Sequence, residues 1–512
     1  MRRLIALLLT LALVIGLAPA ALAKTHTLDI YWIANRDDET IRTGVEKAIN
    51  AYLAELAKTK AIKEMEVAIH LITWDPAWTE QAIGALMNDE KIDLIFTADW
   101  EGYVQEILAG KLTPLGDLLE SDGKGILETL SEDFLEGVKY NGQIYGIPTN
   151  KELCVPSGIL VNKTAADLIG WDLTEYMEDP SKMITTEELE PWLAKYKEMF
   201  PSRYPYLMEK DRWSDEPWGH EWIGLEEDVL DMKYARDEEG KFDETVYSIY
   251  ETQEQEDHIR LMYKWAQLGY ISPEAAKPDY NYNAVFGTGD FLVFTQPLKG
   301  NNFKSVEMYS QHKKTYVPDF EVVEIIMQPK YKVTCQAGGS MFAIPQNSKE
   351  KSRAIQYLNL MHTDPVLINL MLFGEEGVNY KKVDDQKVEL IEDANWYGMH
   401  GGAWTVGNTK LQYVLTTEDP EKNAKLQEYA DDAVMTASYG FRLDKKKAED
   451  LIKPVEDVVK IYARPLMVGA VDPDDPEKGL EAFRKALKDA GIDALKEEVE
   501  AQYNTWRNLT KK

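Results

Sequence analysis

Cysteine is nearly absent, at two residues in 512, Cys154 and Cys335. That excludes a disulfide scaffold and thiolate metal centres, which need clustered ligands. Histidine is scarce too, at seven, and no two stand at the i, i+4 spacing of a helical zinc site; His220 beside Glu221, and His400, read as loop histidines. Positive charge is in deficit, with 57 Lys and Arg against 88 Asp and Glu and a formal net charge of −31. Phosphate backbones and anionic lipid repel such a chain, so nucleic acid is excluded as a partner. The surplus acid either keeps a surface solvated or steers a partner. Catalytic signatures are missing: the chain has no G-x-S-x-G elbow, H-E-x-x-H, P-loop or G-x-G-x-x-G, and Gly287-Thr288-Gly289 lacks the third glycine and precedes a strand. No metal or cofactor is implied. Internal repeats, heptad runs and low-complexity tracts are absent as well.

Long apolar runs are confined to the start. Arg2 and Arg3 precede an apolar run over residues 4–17 and then Ala21-Leu22-Ala23, the three parts of an export signal spanning residues 1–23. The run is shorter than the roughly 20 residues a membrane-spanning helix needs. Intact mass of the exported protein is expected to match a chain beginning at Lys24; a retained N-terminus or an added lipid would contradict this. The remaining chain suggests two or three domain-sized units at about 100–200 residues each.

What is present is an alternation of strand and helix. Residues 27–33 (TLDIYWI), 66–74 and 91–97 (KIDLIFT) read as strands, with helices over 40–56 and 78–86 between them. That interval predicts a parallel sheet flanked by helices. In such sheets ligands lie beyond the carboxyl ends of the strands. Those ends carry Trp32 and Asn35, then Trp74, Asp75 and Trp78, then Asp99 and Trp100; each Trp either offers a stacking face or packs a helix onto the sheet. Residues 171–270 are helical, acidic and aromatic-rich, interrupted by the loop WSDEPWGHEWIG at 213–224. Its Trp218, His220 and Trp222 form either a binding surface or a plug on a second lobe. Residues 284–294, 321–326 and 340–344 read as further strands, and 350–361, 420–436, 446–461 and 481–507 as helices.

Residues 141–163, NGQIYGIPTNKELCVPSGILVNK, tie these parts together. Two short strands flank a link marked by Pro148 and Pro156, and the polar run Thr149-Asn150-Lys151-Glu152 stands where strand-forming sequence predicts apolar residues. This stretch resembles the first interlobe crossover of the extracellular solute-binding proteins that serve ABC importers. The resemblance extends through GGSMFAIPQNSKEKSRAIQYLNLMHTDP at 338–365, NLMLFGEEGVNY at 369–380, WTVGN at 404–408 and the C-terminal VDPD and LKDAGIDALKEEVEAQYNTW. Together these resemble the lipoprotein-like subgroup of the sugar-binding family 1.

The resemblance implies an α/β, two-lobed periplasmic-binding-protein fold, type II-like, with hinge crossovers and extra C-terminal helices. Lobe 1 is expected over 24–148 and 315–345, and lobe 2 over 149–314 and 346–512. It implies a carbohydrate ligand, an oligosaccharide in an interlobe cleft, passed by a monomer to the membrane permease of an ABC importer. Stacking faces and hydrogen-bonding groups must then converge. The candidates are Trp32, Asn35, Trp74, Asp99, Trp100, Asn150, Lys151, Glu152, Trp218, His220, Trp222, Gln336, Trp404 and Asn408, with His400 beside them and Trp404 and Asn408 contributed by lobe 2. Many relatives carry a lipid-bearing cysteine at the cleavage site; this chain has Ala23-Lys24, so a free periplasmic protein, or one released or held non-covalently at a cell surface, is expected. Crossover strands run side by side in this architecture, so Cys154 and Cys335 either form a bridge or remain two buried thiols. Peptide or another polar small molecule is the alternative ligand. A secreted glycoside hydrolase, using Glu152 or Glu221 with Asp99, is the enzyme alternative.

Overall fold

The computed structural model describes residues 26–154, 157–179, 181–208, 220–222, 225, 229–233, 241–298, 320–327, 330–416, 418, 420–431 and 433–510. The expected export signal lies outside them. Among the described residues no helix is long and apolar enough to cross a membrane.

The expected alternation opens the fold, with β1 (Thr27–Ala34), α1 (Glu39–Lys58), β2 (Glu66–Thr73) and β3 (Leu94–Thr97). Asp38 starts α1 by accepting the amides of Thr40 and Ile41, and Val45, Ile49 and Leu53, four apart, face the core. The same helix covers the sheet's edge. Asn50 and Glu46 each accept an amide of β2, from Val67 and Ile69, at 2.7 Å, while Asn50 and Arg42 donate to the carbonyls of those two residues. An edge that would otherwise pair with another chain is thereby occupied.

The chain continues through β4 (Gly146–Pro148), β5 (Ser157–Asn162), β6 (Tyr206–Leu207), α2 (Gln253–Gln267), β7 (Val293–Pro297), β8 (Val322–Ile326) and β9 (Met341–Ala343). Two sheets result, ordered β2-β1-β3-β9-β4 and β8-β5-β7-β6. In the first, β1 runs parallel to β2 and β3 while β9 is antiparallel to β3 and β4, so Ala34, Thr73, Thr97, Pro148 and Met341 lie along one edge. In the second, β5 is antiparallel to β7 and β8, which brings Gly158, Gln296 and Ile326 to one edge. The segments 148–157 and 326–341 join these two edges. They are the crossovers, and the two-lobed α/β fold with an intervening cleft follows.

Several boundaries differ from the sequence reading. β8 falls within the segment assigned to lobe 1 yet pairs with β5 of the second sheet, because apolar alternation marks a strand and not its neighbour. The return to the first lobe therefore follows Ile326. Residues 346–415, assigned to lobe 2, pack instead on the first sheet: α3 (Lys351–Thr363) and α4 (Pro365–Phe373) bury Ile355, Leu358, Ile368 and Leu372 in the first core. Residues 284–294 are not one strand; a helix over Tyr282–Thr288 ends at Gly289, whose φ of +69° breaks the chain before β7. At the C-terminus α5 (Lys445–Met467), α6 (Leu480–Ala490) and α7 (Ile492–Thr510) build a third core with Val229, Leu230, Met232 and Tyr250. Cys154 is buried and Cys335 partly so, and both are thiols, so the bridge is not formed.

Candidate functional site

The cleft-facing edge of the first sheet carries three tryptophans in contact. Trp74 follows β2 and Trp100 follows β3, and they are 37% and 42% exposed, unusual for indoles. Trp404, half-buried, comes from the short helical turn Ala403–Thr405, beyond the pair of strands Tyr380–Lys382 and Lys387–Leu390 that follows α4. The Trp74 ring lies 6.0 Å from Trp100 and 6.3 Å from Trp404, at interplanar angles of 28° and 21°. Phe96 supports the group from below, edge-on to Trp404 at 6.1 Å. The result is a contiguous aromatic platform.

Each indole is fixed by a hydrogen bond or a glycine. Trp74 Nε1 donates to Asn35 Oδ1 at 2.9 Å, and Asn35 Nδ2 donates to the carbonyl of His400 at 3.1 Å. Trp100 Nε1 donates to the Gly339 carbonyl at 2.8 Å. Trp404 stands against Gly402, whose φ of +110° favours glycine and whose missing Cβ would lie 3.6 Å from the indole. The loop closes at Gly407, where a Cβ would meet the Met361 carbonyl at 2.1 Å. His400 is fully buried under this loop. It accepts the Gly402 amide at Nδ1, so Nε2 carries the proton donated to the Leu372 carbonyl at 2.8 Å. Burial pushes its pKa down to about 4. With both nitrogens occupied it is unsuited to a metal, and no cluster of metal-ligating groups occurs among the described residues.

The structure separates the candidates. Trp74, Trp100, Trp404 and Asn35 converge. Trp404 and Asn408 pack with the first core rather than contributing from lobe 2, since their loop is held between α3 and the end of β1. Trp32 is corrected to a core residue: it is 0% exposed, stacks on His400 at 4.6 Å and donates to Thr405 Oγ1. Asn150 and Asn408 are corrected to clamps of the backbone. Asn150 Nδ2 reaches the Thr129 carbonyl, its amide the Gly407 carbonyl, and its carbonyl accepts from Thr409, while Asn408 Nδ2 reaches the His362 carbonyl and its Oδ1 accepts the Lys410 amide. Lys151 is buried in the first crossover with Nζ 3.5 Å from Gln336 Oε1 of the second and 3.8 Å from Glu152; these three form a polar cluster where the crossovers meet. Trp218 lies outside the described residues, and so do the side chains of His220 and Trp222, whose backbone pairs as a strand with Leu230–Lys233.

Asp99 is corrected most sharply. Its carboxylate receives both Nε and Nη2 of Arg442, at 2.6 and 2.8 Å, with the two side chains 6% and 4% exposed. A carboxylate held in that way has no role as a hydrolytic acid or base, which removes a member of the hydrolase pairing. Three features went unread in the sequence. Gly338-Gly339 accept from the Asp99 amide and the Trp100 indole, and no Cβ fits at Gly338, where Asp99 Oδ2 would be 2.1 Å away; two adjacent glycines before MFAIP were the available signal. Arg442 carried none. Glu101 and Glu106 lie beside and below Trp100: burial, then the charge of Asp75, pushes the Glu101 carboxyl up to about 7, and burial pushes the fully buried Glu106, which accepts from Thr97 Oγ1 at 2.9 Å, up to about 8.

The family described as bacterial extracellular solute-binding protein matches residues 20–374, and a domain of unknown function, DUF3502, matches residues 437–508. A carbohydrate ABC transporter substrate-binding protein of Streptococcus pneumoniae is 24% identical over 427 residues, 81% of this chain and 80% of that protein. The crystal structure of an N-glycan transport solute binding protein from the same organism superposes with a TM-score of 0.76 at 19% identity, over 95% of this chain and 100% of the other. Its complex with Man5GlcNAc gives 0.68 at 19% identity, over 95% and 99%.

Proposed function

Since the chain belongs to the bacterial extracellular solute-binding proteins, we propose that it captures an oligosaccharide in the interlobe cleft and delivers it to the permease of an ABC importer. The observation that carries this reading is the platform of Trp74, Trp100 and Trp404 at the ligand edge of an α/β sheet. Flat indole faces match the C–H faces of pyranose rings, and three in contact offer more than one sugar a surface. Lys151, Glu152 and Gln336, where the crossovers meet, supply donors and acceptors for hydroxyls. The relatives named above support the sugar class, one being described with a carbohydrate substrate and another with a bound mannose-rich glycan. Two lobes joined by crossovers offer the permease two shapes, whose balance a ligand shifts through its differential affinity.

The test is a thermal-shift screen of the exported protein against neutral oligosaccharides and peptides. A true ligand at about 100 times its Kd adds about 2.7 kcal/mol of stability. With that ligand, Trp404→Ala is expected to cost about 2–4 kcal/mol of binding, a 30- to 1000-fold loss by calorimetry, while the melting temperature without ligand moves far less. Stabilisation by peptides alone, or an unchanged affinity in the variant, would refute the reading.

A further inference from the structure

The C-terminal residues matched by a domain of unknown function make contacts that give them a task. One end belongs with the second lobe. Along α5, which is about 35 Å long at 1.5 Å per residue, Arg464 donates to the carbonyls of Ala275 and Lys277. Gly469 follows α5 and lies so close to α2 that a Cβ there would stand 2.3 Å from the Met262 carbonyl. Arg484 of α6 pairs with Glu256 of α2 at 3.0 Å and donates to the Tyr250 carbonyl.

The other end is fastened to the first lobe at the platform. Val434 and Met435 pair with Tyr331 and Lys332 inside the second crossover. The Ser438 carbonyl accepts from Thr334 Oγ1, which in turn accepts the Gly440 amide at 2.9 Å. Tyr439 donates to the Asp133 carbonyl at 2.7 Å. Arg442 ends the strap: besides its two bonds to Asp99 it donates to the carbonyls of Gly137 and Lys139, at 2.6 and 3.2 Å. The turn bearing Trp100 is therefore held on both sides, by Gly338-Gly339 through Asp99 and Trp100, and by Arg442 through the Asp99 carboxylate. Gly338-Gly339 closes the crossover segment that the strap itself secures.

We infer that residues 437–508 act as a brace between the second lobe and the Trp100 turn, with Arg442 as the residue that positions the platform through Asp99. A largely buried, bidentate guanidinium–carboxylate pair with additional carbonyl acceptors has one geometry, which suits it to fixing a register. The brace crosses the hinge by a third path, so the platform's orientation is set from the lobe that must close over it. Its consequence for affinity rests on the carbohydrate reading; its mechanical part does not.

Amide hydrogen exchange on the full chain without ligand tests the mechanical part, comparing wild type with Asp99→Asn/Arg442→Met. Removing both charges strands neither one in the interior. Exchange at residues 98–103 and 338–340 is expected to quicken at least tenfold, with β5 and α7 unchanged and a cooperative melt retained. Unchanged exchange at 98–103 in the folded variant overturns the brace. If the double variant does not fold, Arg442→Lys decides by the same criterion, since an ammonium keeps the charge but cannot span the carboxylate and both carbonyls. Affinity for Man5GlcNAc is the second readout, with a loss of tenfold or more expected. Unchanged affinity overturns the brace's service to the platform. A wild-type chain that fails to bind this glycan counts against the carbohydrate reading alone, and the exchange result still decides the brace.

Discussion

Trp32→Ala is expected to lower folding stability by about 3–5 kcal/mol, the range for emptying a large aromatic site in a packed core. The indole has no exposed surface, contacts the rings of Phe342, Trp396 and His400, and donates to Thr405. Alanine would leave a cavity the size of an indole and take from the Thr405 hydroxyl its buried donor. Urea unfolding followed by circular dichroism measures the stability change, and titration of the folded fraction measures affinity. A loss of affinity with stability intact would return Trp32 to the ligand site. In the opposite pattern, stability falls steeply and affinity of the folded fraction moves little. That pattern fits a residue one layer beneath the platform.

Trp32 and Trp404 also show which features of the site were legible in the chain. Both are tryptophans near polar neighbours, but residues 27–32 alternate, and that alternation sets Trp32 on the buried face of β1 with Leu28 and Ile30. The glycines around Trp404 made the difference, because a loop bent through Gly402 and Gly407 presents its side chain whereas a strand end in a central position buries it. The first crossover was legible for a related reason: Pro148, Pro156 and four polar residues break a strand pattern, and the strands fall at Gly146–Pro148 and Ser157–Asn162. Asp99 was misread because its partner stands 343 residues away. Nothing local distinguishes a carboxylate awaiting a hydroxyl from one already bound to a guanidinium. The sequence places a helix over 350–361, where α3 stands, but a helix's apolar face says which side is buried and not which sheet it is buried against. The lobe boundaries therefore shifted although β8 and α3 stand where the sequence places them.

Glu106→Gln is expected to remove a steep pH dependence of stability. Desolvation raises the Glu106 carboxyl from 4.5 to about 8, with the nearby charge of Glu101 contributing and the Thr97 hydrogen bond opposing. Below pH 4.5 the folded and unfolded chains both hold the proton, and the stability associated with it is fully present. As the pH rises, the unfolded carboxyl ionises first while the buried one keeps its proton. Stability then falls by about 1.4 kcal/mol per pH unit, and above pH 8 the accumulated loss is about 5 kcal/mol. Glutamine carries no charge to bury and retains a carbonyl oxygen to accept from Thr97, so the variant should match wild type near pH 5 and exceed it near pH 9. The groups that could mimic the effect are identifiable. Glu101, also raised, lies between Asp75 and Glu106, and Asp99 is neutralised by Arg442. Melting temperatures of wild type, Glu106→Gln and Glu101→Gln across this range separate the contributions. If Glu106→Gln tracks wild type at every pH, the folded carboxyl ionises where the unfolded one does, and burial does not raise it.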